Sequence, residues 1–329
     1  MDLAGSASLT LALALLAAGC SSGAAGTGST SASASSSTGS SGSGGTGGSG
    51  GAGGAAPIGG DRPVMVFTPS SVKPGVPAPL VILLHGYSVA GIVEELYLQL
   101  MPLAEKHGFY YAHPDGTLDH SQPTPNYFWN ATDACCNFDG SKVDDSAYLA
   151  SVIAQIQAQF TVDPRRIYLV GHSNGGYMSY RMACDHPETI AAVASLAGAM
   201  WEDTAKCPAT AGKIPVSVLQ IHGTADPEVK YDGSPGSGMP GNGPYPGAAT
   251  SVKDWAAIDG CALTPASAAP LDLDTQIPGA ETTVLRYAQG CKSGSGAELW
   301  SIQGGTHIPQ IGDVFREDVI TWLLAHPKP

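Results

Sequence analysis

The sequence predicts an α/β fold, with a mainly parallel central sheet and helices on both faces. Short unbroken apolar runs recur along the chain. Each stops at a turn rich in Gly or Pro, and helix-length amphipathic stretches lie between them. An apolar run without alternation fits a strand buried on both faces, which is the environment of a parallel sheet covered by helices. Alternation of such runs with helical patterns gives the α/β class.

The first run, Leu80–Leu84, follows Pro79 and stops at His85-Gly86. A second, Gly108–His113, ends at Pro114-Asp115-Gly116. A third, Arg166–Val170, leads into Gly171. A fourth, Val216–Ile221, ends at His222-Gly223, and a late one spans Leu299–Ile302. Helical patterns cover Ile92–Lys106, Asp145–Phe160, Gly176–Asp185, Ser251–Asp259 and Val314–Leu324. Gly260 supplies a C-cap for the fourth of these. Asp144 and Asp145 stand where an N-cap belongs.

The chemistry centres on Gly171-His172-Ser173-Asn174-Gly175, a G-x-S-x-G sequence with a predicted strand before it and a helix after it. That setting is a nucleophile elbow, in which a sharp turn projects the serine above the sheet. The helix N-terminus behind it favours developing negative charge. Serine needs a base, and the base needs an orienting carboxylate. In chain order after Ser173, Asp226 lies just past the fourth strand, and His307 follows the last one. Asp226 is preferred over Asp232 in the same loop, and over Asp254 and Asp259, which sit on a helix with the spacing of a solvated face. His222 precedes the acid and reads as structural, and His326 as solvated. Backbone N–H groups of Asn174 and Tyr87 are the candidate oxyanion donors. The loop His85-Gly86-Tyr87 follows the first strand, where a second donor is expected, and His85 reads as a packing residue beneath it. Trp129 and Trp201 are candidate substrate-lining residues. Asp232–Gly247, rich in Gly and Pro, is a candidate lip of the cleft.

Seven motifs occur in order: Leu83-Leu84-His85-Gly86, Pro114-Asp115-Gly116, Cys135-Cys136, Val143-Asp144-Asp145, Gly171 to Gly176, His222 to Asp226, and Gly304-Gly305-Thr306-His307. With this set the chain resembles the polyhydroxybutyrate depolymerase-like proteins and the feruloyl and acetylxylan esterases of carbohydrate esterase family 1, within the α/β-hydrolase superfamily. The resemblance runs from about residue 62 to 325. It implies a serine carboxylesterase with a Ser173–His307–Asp226 triad and no metal or organic cofactor. The chain departs from the family after His307, where Ile308-Pro309-Gln310 replaces the usual aromatic and Pro-Gly. The expected substrate is a small or polymer-borne ester: a feruloyl or acetyl ester of a polysaccharide, or a hydroxyalkanoate ester. A polyhydroxybutyrate depolymerase proper, a serine peptidase and a catalytically silent ligand-binding lipoprotein are the alternatives. A peptidase of this fold usually carries an added propeller or lid, for which the chain has no room. The lack of a polymer-binding module favours short or soluble esters.

Residues 1–20 read as a signal peptide and 21–57 as a disordered linker, leaving 58–329 as the catalytic domain. Leu9–Ala18 is apolar but too short to span a bilayer. Ala17-Ala18-Gly19-Cys20 resembles a lipobox, which would lipidate Cys20. The absence of Lys and Arg ahead of it, and Ala17 where Leu is preferred, fit a plain signal peptide instead. Ser21 to Ala56 holds only Ser, Gly, Ala and Thr, which have too little apolar surface to offset ordering. Its reach is roughly 30–36 Å. Six further cysteines in an exported chain suggest disulfides. Cys261 and Cys291 flank one excursion and form the first expected pair. Cys135 and Cys136, being adjacent, are expected to pair separately, with Cys184 and Cys207 as partners. No metal-ligand spacing is present. A net charge of −13 disfavours nucleic acid and other polyanions. Only 13% of residues are charged, against about 25% in an ordinary soluble domain, which suits a loop-rich extracellular enzyme. A monomer is expected, touching membrane only through the anchor.

Overall fold

A computed structural model of the chain describes residues 57–120, 126–208 and 212–329. The signal peptide, Cys20 and the linker up to residue 56 lie outside them. The elements, in order, are β1 (Val66–Phe67), β2 (Ala78–Leu84), α1 (Gly91–Leu98), α2 (Met101–His107), β3 (Tyr110–Ala112), β4 (Thr117–Asp119), β5 (Asn126–Phe128) and α3 (Asp145–Gln159). Next come β6 (Val162–His172), α4 (Asn174–Asp185), β7 (Ala192–Leu196), β8 (Ser217–Gly223), β9 (Gly233–Ser234), β10 (Tyr245–Pro246) and α5 (Ala248–Ile258). The chain closes with β11 (Ala266–Ser267), β12 (Thr282–Tyr287), β13 (Ala297–Ile302) and α6 (Asp313–Leu324).

Nine strands form one sheet in the order β1-β3-β2-β6-β7-β8-β13-β12-β11. The inner six, from β3 to β13, are parallel, and the outer strands pair antiparallel. All seven residues of β2 are buried, as are all seven of β8. Successive side chains on these strands point to opposite faces. Leu80, Ile82 and Leu84 therefore join a core with α3, α4 and α5, through residues such as Ile153, Met178 and Trp255. Val81 and Leu83 join the opposite core with α2 and α6, through Ala104, Phe315 and Ile320. The doubly buried runs in the sequence are the consequence of this two-sided packing.

The predicted helix Ile92–Lys106 is two helices. Gln99 takes a left-handed conformation (φ 52°), and Pro102 stands in the first turn of α2. Proline removes a backbone donor and clashes with the preceding turn, so it starts a helix more readily than it continues one. Glu95 satisfies the amides freed at the break, accepting from Leu100 N at 3.1 Å and Met101 N at 2.9 Å. Asp144 caps α3 by accepting from Ala147 N. Asp145 does more than cap. It is fully buried and gathers Arg62, Thr117 Oγ1 and the Asn130 amide. Asp259 is buried too, contrary to its expected place on a solvated face, because the α5 C-terminus turns inward at Cys261.

The cysteine pairing differs from expectation in one respect. Cys261 bonds Cys291 as predicted. Cys135 and Cys136 bond each other, and Cys184 bonds Cys207. Cys184 lies inside α4, and the loop carrying Cys207 packs beside it with a Cα separation of 5.0 Å. That geometry suits a bridge and leaves neither sulfur for the adjacent pair.

Candidate active site

Four loops at the C-terminal ends of parallel strands build the site. The strand β2 delivers His85-Gly86-Tyr87, β6 delivers Ser173, β8 delivers Asp226 and β13 delivers His307. Open α/β sheets bind ligands at this edge, because helices cover the faces while the loops converge beyond the strand ends.

Ser173 sits between β6 and α4 with φ 53° and ψ −118°. Its amide donates to Leu196 O at 2.8 Å, fixing the turn against the end of β7. The flanking glycines are required by close approach. A Cβ on Gly171 would lie 2.0 Å from Gly175 O, and one on Gly175 would lie 2.0 Å from Leu84 O. Strand and helix thus meet with no room for a side chain.

Asp226 and His307 come together although 81 residues separate them. His307 Nδ1 donates to Asp226 Oδ2 at 2.8 Å. The other carboxylate oxygen accepts from the amides of Glu228 and Val229 at 2.8 and 2.9 Å. Burial alone would push the Asp226 carboxyl up. Hydrogen bonds from His222 and His307 outweigh it and hold the group well below the usual carboxylate range. His222 takes the structural role expected of it. Gln220 Nε2 donates to its Nδ1, and its Nε2 donates to Val229 O at 2.7 Å. The loops carrying Asp226 and His307 are knitted together, with Ala225 N donating to Gly305 O and Gly304 N to Thr224 Oγ1.

Ser173, His307 and Tyr87 line one cavity of about 310 Å³. Its other walls are Phe138, Tyr177, Tyr245, Val229 and the Cys135–Cys136 bridge. Ser234, Gly241 and Asn242 make the Asp232–Gly247 segment one lip of it. Glu228 Oε2 lies 3.8 Å from His307 Nε2 at the rim. On the other side, Gly86 N donates to Glu94 Oε2 at 2.9 Å, and Tyr87 Oη donates to Asp119 at 2.9 Å. His85 packs beneath the loop. Its Nδ1 donates to Gly86 O and its Nε2 accepts from Gly116 N, so the ring is neutral, and burial lowers its pKa accordingly.

The two tryptophans are not on this wall. Trp129 is fully buried behind it. Its indole N–H donates to His85 O, and its backbone exchanges two hydrogen bonds with the Asn174 side chain, at 2.6 and 3.0 Å. An indole buried with its N–H paired inward has no face left for a ligand. Trp201 lines a separate recess with Thr132, Asp133 and Lys206, the Lys206 ammonium standing 5.2 Å from the ring centre. The aromatic wall instead comes from Phe138, Tyr177 and Tyr245. Phe138 in a loop, Tyr177 in α4 and Tyr245 in the two-residue β10 gave no periodic signal that separates lining from packing.

Comparison with known proteins agrees with this architecture. The family model described as "Putative esterase" matches residues 55–217. Feruloyl esterase B of Piromyces equi is 30% identical over 75% of this chain and 42% of its own length. "Putative esterase NocK" of Nocardia uniformis subsp. tsuyamanensis is 30% identical over 49% of this chain and 45% of its own. The bifunctional acetylxylan esterase/xylanase XynS20E of Neocallimastix patriciarum is 28% identical over 53% and 22%. The chain therefore spans less than half the length of each of these relatives. The solved acetyl xylan esterase from Aspergillus awamori shares the fold with a TM-score of 0.53, at 16% identity, over 80% of this chain and 94% of that one. The sheet order and the loops at the strand ends are those of the α/β-hydrolase fold. Residues 55–217 are similar to the esterase family, and the chain is similar over longer stretches to the feruloyl and acetylxylan esterases named above.

Proposed function

We propose that the protein hydrolyses carboxylic esters through an acyl-enzyme on Ser173, with His307 as general base and Asp226 as its orienting acid. The observation that carries this reading is the 2.8 Å His307 Nδ1–Asp226 Oδ2 contact behind a cavity that Ser173 and His307 both line. His307 Nε2 takes the Ser173 proton as Oγ attacks the ester carbonyl. The carbonyl oxygen becomes an oxyanion held by the N–H groups of Tyr87 and Asn174. Collapse breaks the bond to the alcohol, and His307 returns the proton to that leaving oxygen. Water, deprotonated by His307, then attacks the acyl-Ser173 ester, releasing the acid and restoring the serine. Asp226 stays ionised throughout and stabilises the imidazolium.

An aryl acyl group of the feruloyl type suits the cavity best, since Phe138, Tyr177 and Tyr245 offer ring faces and edges to it. The feruloyl esterase among the relatives supports the same class. An acetyl or hydroxyalkanoate ester would leave most of this wall uncovered. Export is supported by the three disulfides, which persist in oxidising compartments. Anchoring through Cys20 is the form of export we favour, and mass spectrometry of the mature N-terminus tests it.

Replacing Ser173 with Ala should lower p-nitrophenyl acetate turnover by about 10⁴-fold or more and abolish labelling by a fluorophosphonate probe. Undiminished turnover in that variant excludes the serine mechanism. Methyl ferulate, acetylated xylan and polyhydroxybutyrate assayed side by side test the acyl preference, with methyl ferulate expected to give the highest kcat/KM.

A further inference from the structure

One buried ion pair joins parts of the site that the mechanism leaves unconnected. Glu94 lies in the first turn of α1 and is 3% exposed; His172, directly before Ser173, is 6% exposed. His172 Nδ1 lies 3.1 Å from Glu94 Oε1. The outer end of each group points at the catalytic apparatus. Glu94 Oε2 accepts from Gly86 N at 2.9 Å, on the loop that carries Tyr87. His172 Nε2 faces the carbonyl oxygen of His307 at 3.1 Å.

The charge state follows from the partners. A carbonyl oxygen can only accept, so Nε2 carries a hydrogen. One further proton lies between Nδ1 and Oε1, because a bare imidazole nitrogen against a buried carboxylate would leave both lone pairs opposed. The Gly86 N–H donated to Oε2 favours the carboxylate, and so places that proton on His172. Glu94 Oε1 receives no hydrogen bond of its own among the described residues, which leaves the imidazolium to compensate it. Burial pushes the His172 pKa down and the Glu94 pKa up. Their mutual attraction outweighs burial in both cases, raising the first and lowering the second. His85, equally buried nearby, is neutral, so burial itself does not set the state of His172. The groups facing the pair are His85, Tyr97, Tyr111, Asp226 and His307. Tyr97 reinforces the same connection, since its hydroxyl donates to Pro309 O two residues beyond His307.

We infer that Glu94 and His172 are a positioning pair: a buried carboxylate–imidazolium clamp that holds the Tyr87 oxyanion loop and the His307 base loop in one frame around Ser173. The inference rests on the serine mechanism proposed above. Neither residue touches the cavity, so the pair acts on placement of the donor and base rather than on substrate binding. Its loss belongs in kcat, because misplacing either group is felt only as charge develops.

Two measurements test the pair. In the wild-type protein labelled with ¹⁵N-histidine, the His172 ring should show both nitrogens protonated at pH 8; a neutral ring overturns the clamp, whatever the variants do. In kinetics with p-nitrophenyl acetate, Glu94→Gln and His172→Gln should each lower kcat about 10- to 100-fold with KM within about twofold. The double variant should fall no more than about threefold below the weaker single, since partners in one interaction are not additive. Additive losses, or losses that appear in KM, overturn the proposal. Ser173→Ala separates the two readings. If it is inactive while both Gln variants keep wild-type kcat, the pair alone is wrong. If it is fully active, the serine reading falls and the clamp falls with it.

Discussion

Ser173 holds a backbone conformation that an L-residue adopts at a cost of about 1–3 kcal/mol, with φ 53° and ψ −118°. Surrounding contacts maintain it: the Leu196 carbonyl on its amide, Gly171 and Gly175 on either side, and α4 starting at Asn174. Asp226 is over-determined in the same sense, with two amides and two imidazoles directed at one carboxylate. Its negative charge keeps the proton of His307 on Nδ1, and in the proposed mechanism Nε2 is then the atom that accepts the Ser173 proton. Asp226→Asn preserves the shape but supplies an amide that can donate, stabilising the wrong tautomer. We expect kcat to fall by about 10³- to 10⁴-fold with little change in KM. A loss below tenfold in steady-state kinetics on p-nitrophenyl acetate would remove Asp226 from the mechanism. The positions of Ser173, Asp226 and His307 were legible in the sequence because each lies in the loop that follows a buried strand end. Trp129 was misplaced because residue type alone does not tell a paired, inward indole from an exposed one. Glu94 was invisible because a glutamate in an amphipathic helix ordinarily reads as its solvated face.

The strands and helices that bear the site were legible where packing leaves a one-sided or two-sided signature. β2, β6, β8 and β13 read as continuous apolar runs because both faces are covered. β7, Ala192–Leu196, escaped notice because its small Ala-rich run resembles a loop near a helix end. β12 escaped because exposed polar residues, Thr283 and Arg286, interrupt its apolar positions, as in a strand near the sheet edge. The break in the first helix turns on Gln99 and Pro102, and the adjacent Cys135–Cys136 bond depended on where Cys184 finds its partner. The end of α5 carries a testable consequence. Asp259 is fully buried, and burial pushes its carboxyl up to about 7, while Ser295 and the Lys292 and Lys328 ammonium groups pull the other way. In the unfolded chain the group ionises near about 3.9. Between those values the unfolded state binds fewer protons than the folded one, so this group lowers stability as pH rises from about 4 to about 7. Asp259→Asn removes the ionisation. Its melting temperature should exceed that of the wild type at pH 8, and the gap should close at pH 4. An equal gap at both pH values, measured by calorimetry, would show that the carboxyl is not the source.

At the scale of the whole molecule, charge is the property that local motifs do not express. The chain carries 28 acidic against 15 basic residues, and all but Asp2 lie beyond the linker. Several of the basic groups are spent internally. Arg62 pairs with buried Asp145, Arg181 with Asp185 and Asp144, and Arg166 with Asp163. The outward field is therefore negative, and Glu228 adds a carboxylate at the cavity rim, 57% exposed and 3.8 Å from His307 Nε2. A neutral ester approaches this surface without penalty. An anionic one, such as a feruloyl ester borne on an acidic polysaccharide, is repelled over a distance set by the Debye length, about 30 Å at 0.01 M salt and about 10 Å at 0.1 M. Association rates respond to such fields more than chemistry does. Raising the salt from 0.01 to 0.2 M should thus increase kcat/KM for the anionic ester several-fold, through KM, and leave methyl ferulate unchanged. Glu228→Gln should raise the low-salt value for the anionic ester and flatten its salt dependence. If both substrates respond to salt alike, the field does not select among esters, and discrimination lies within the aromatic wall of the cavity.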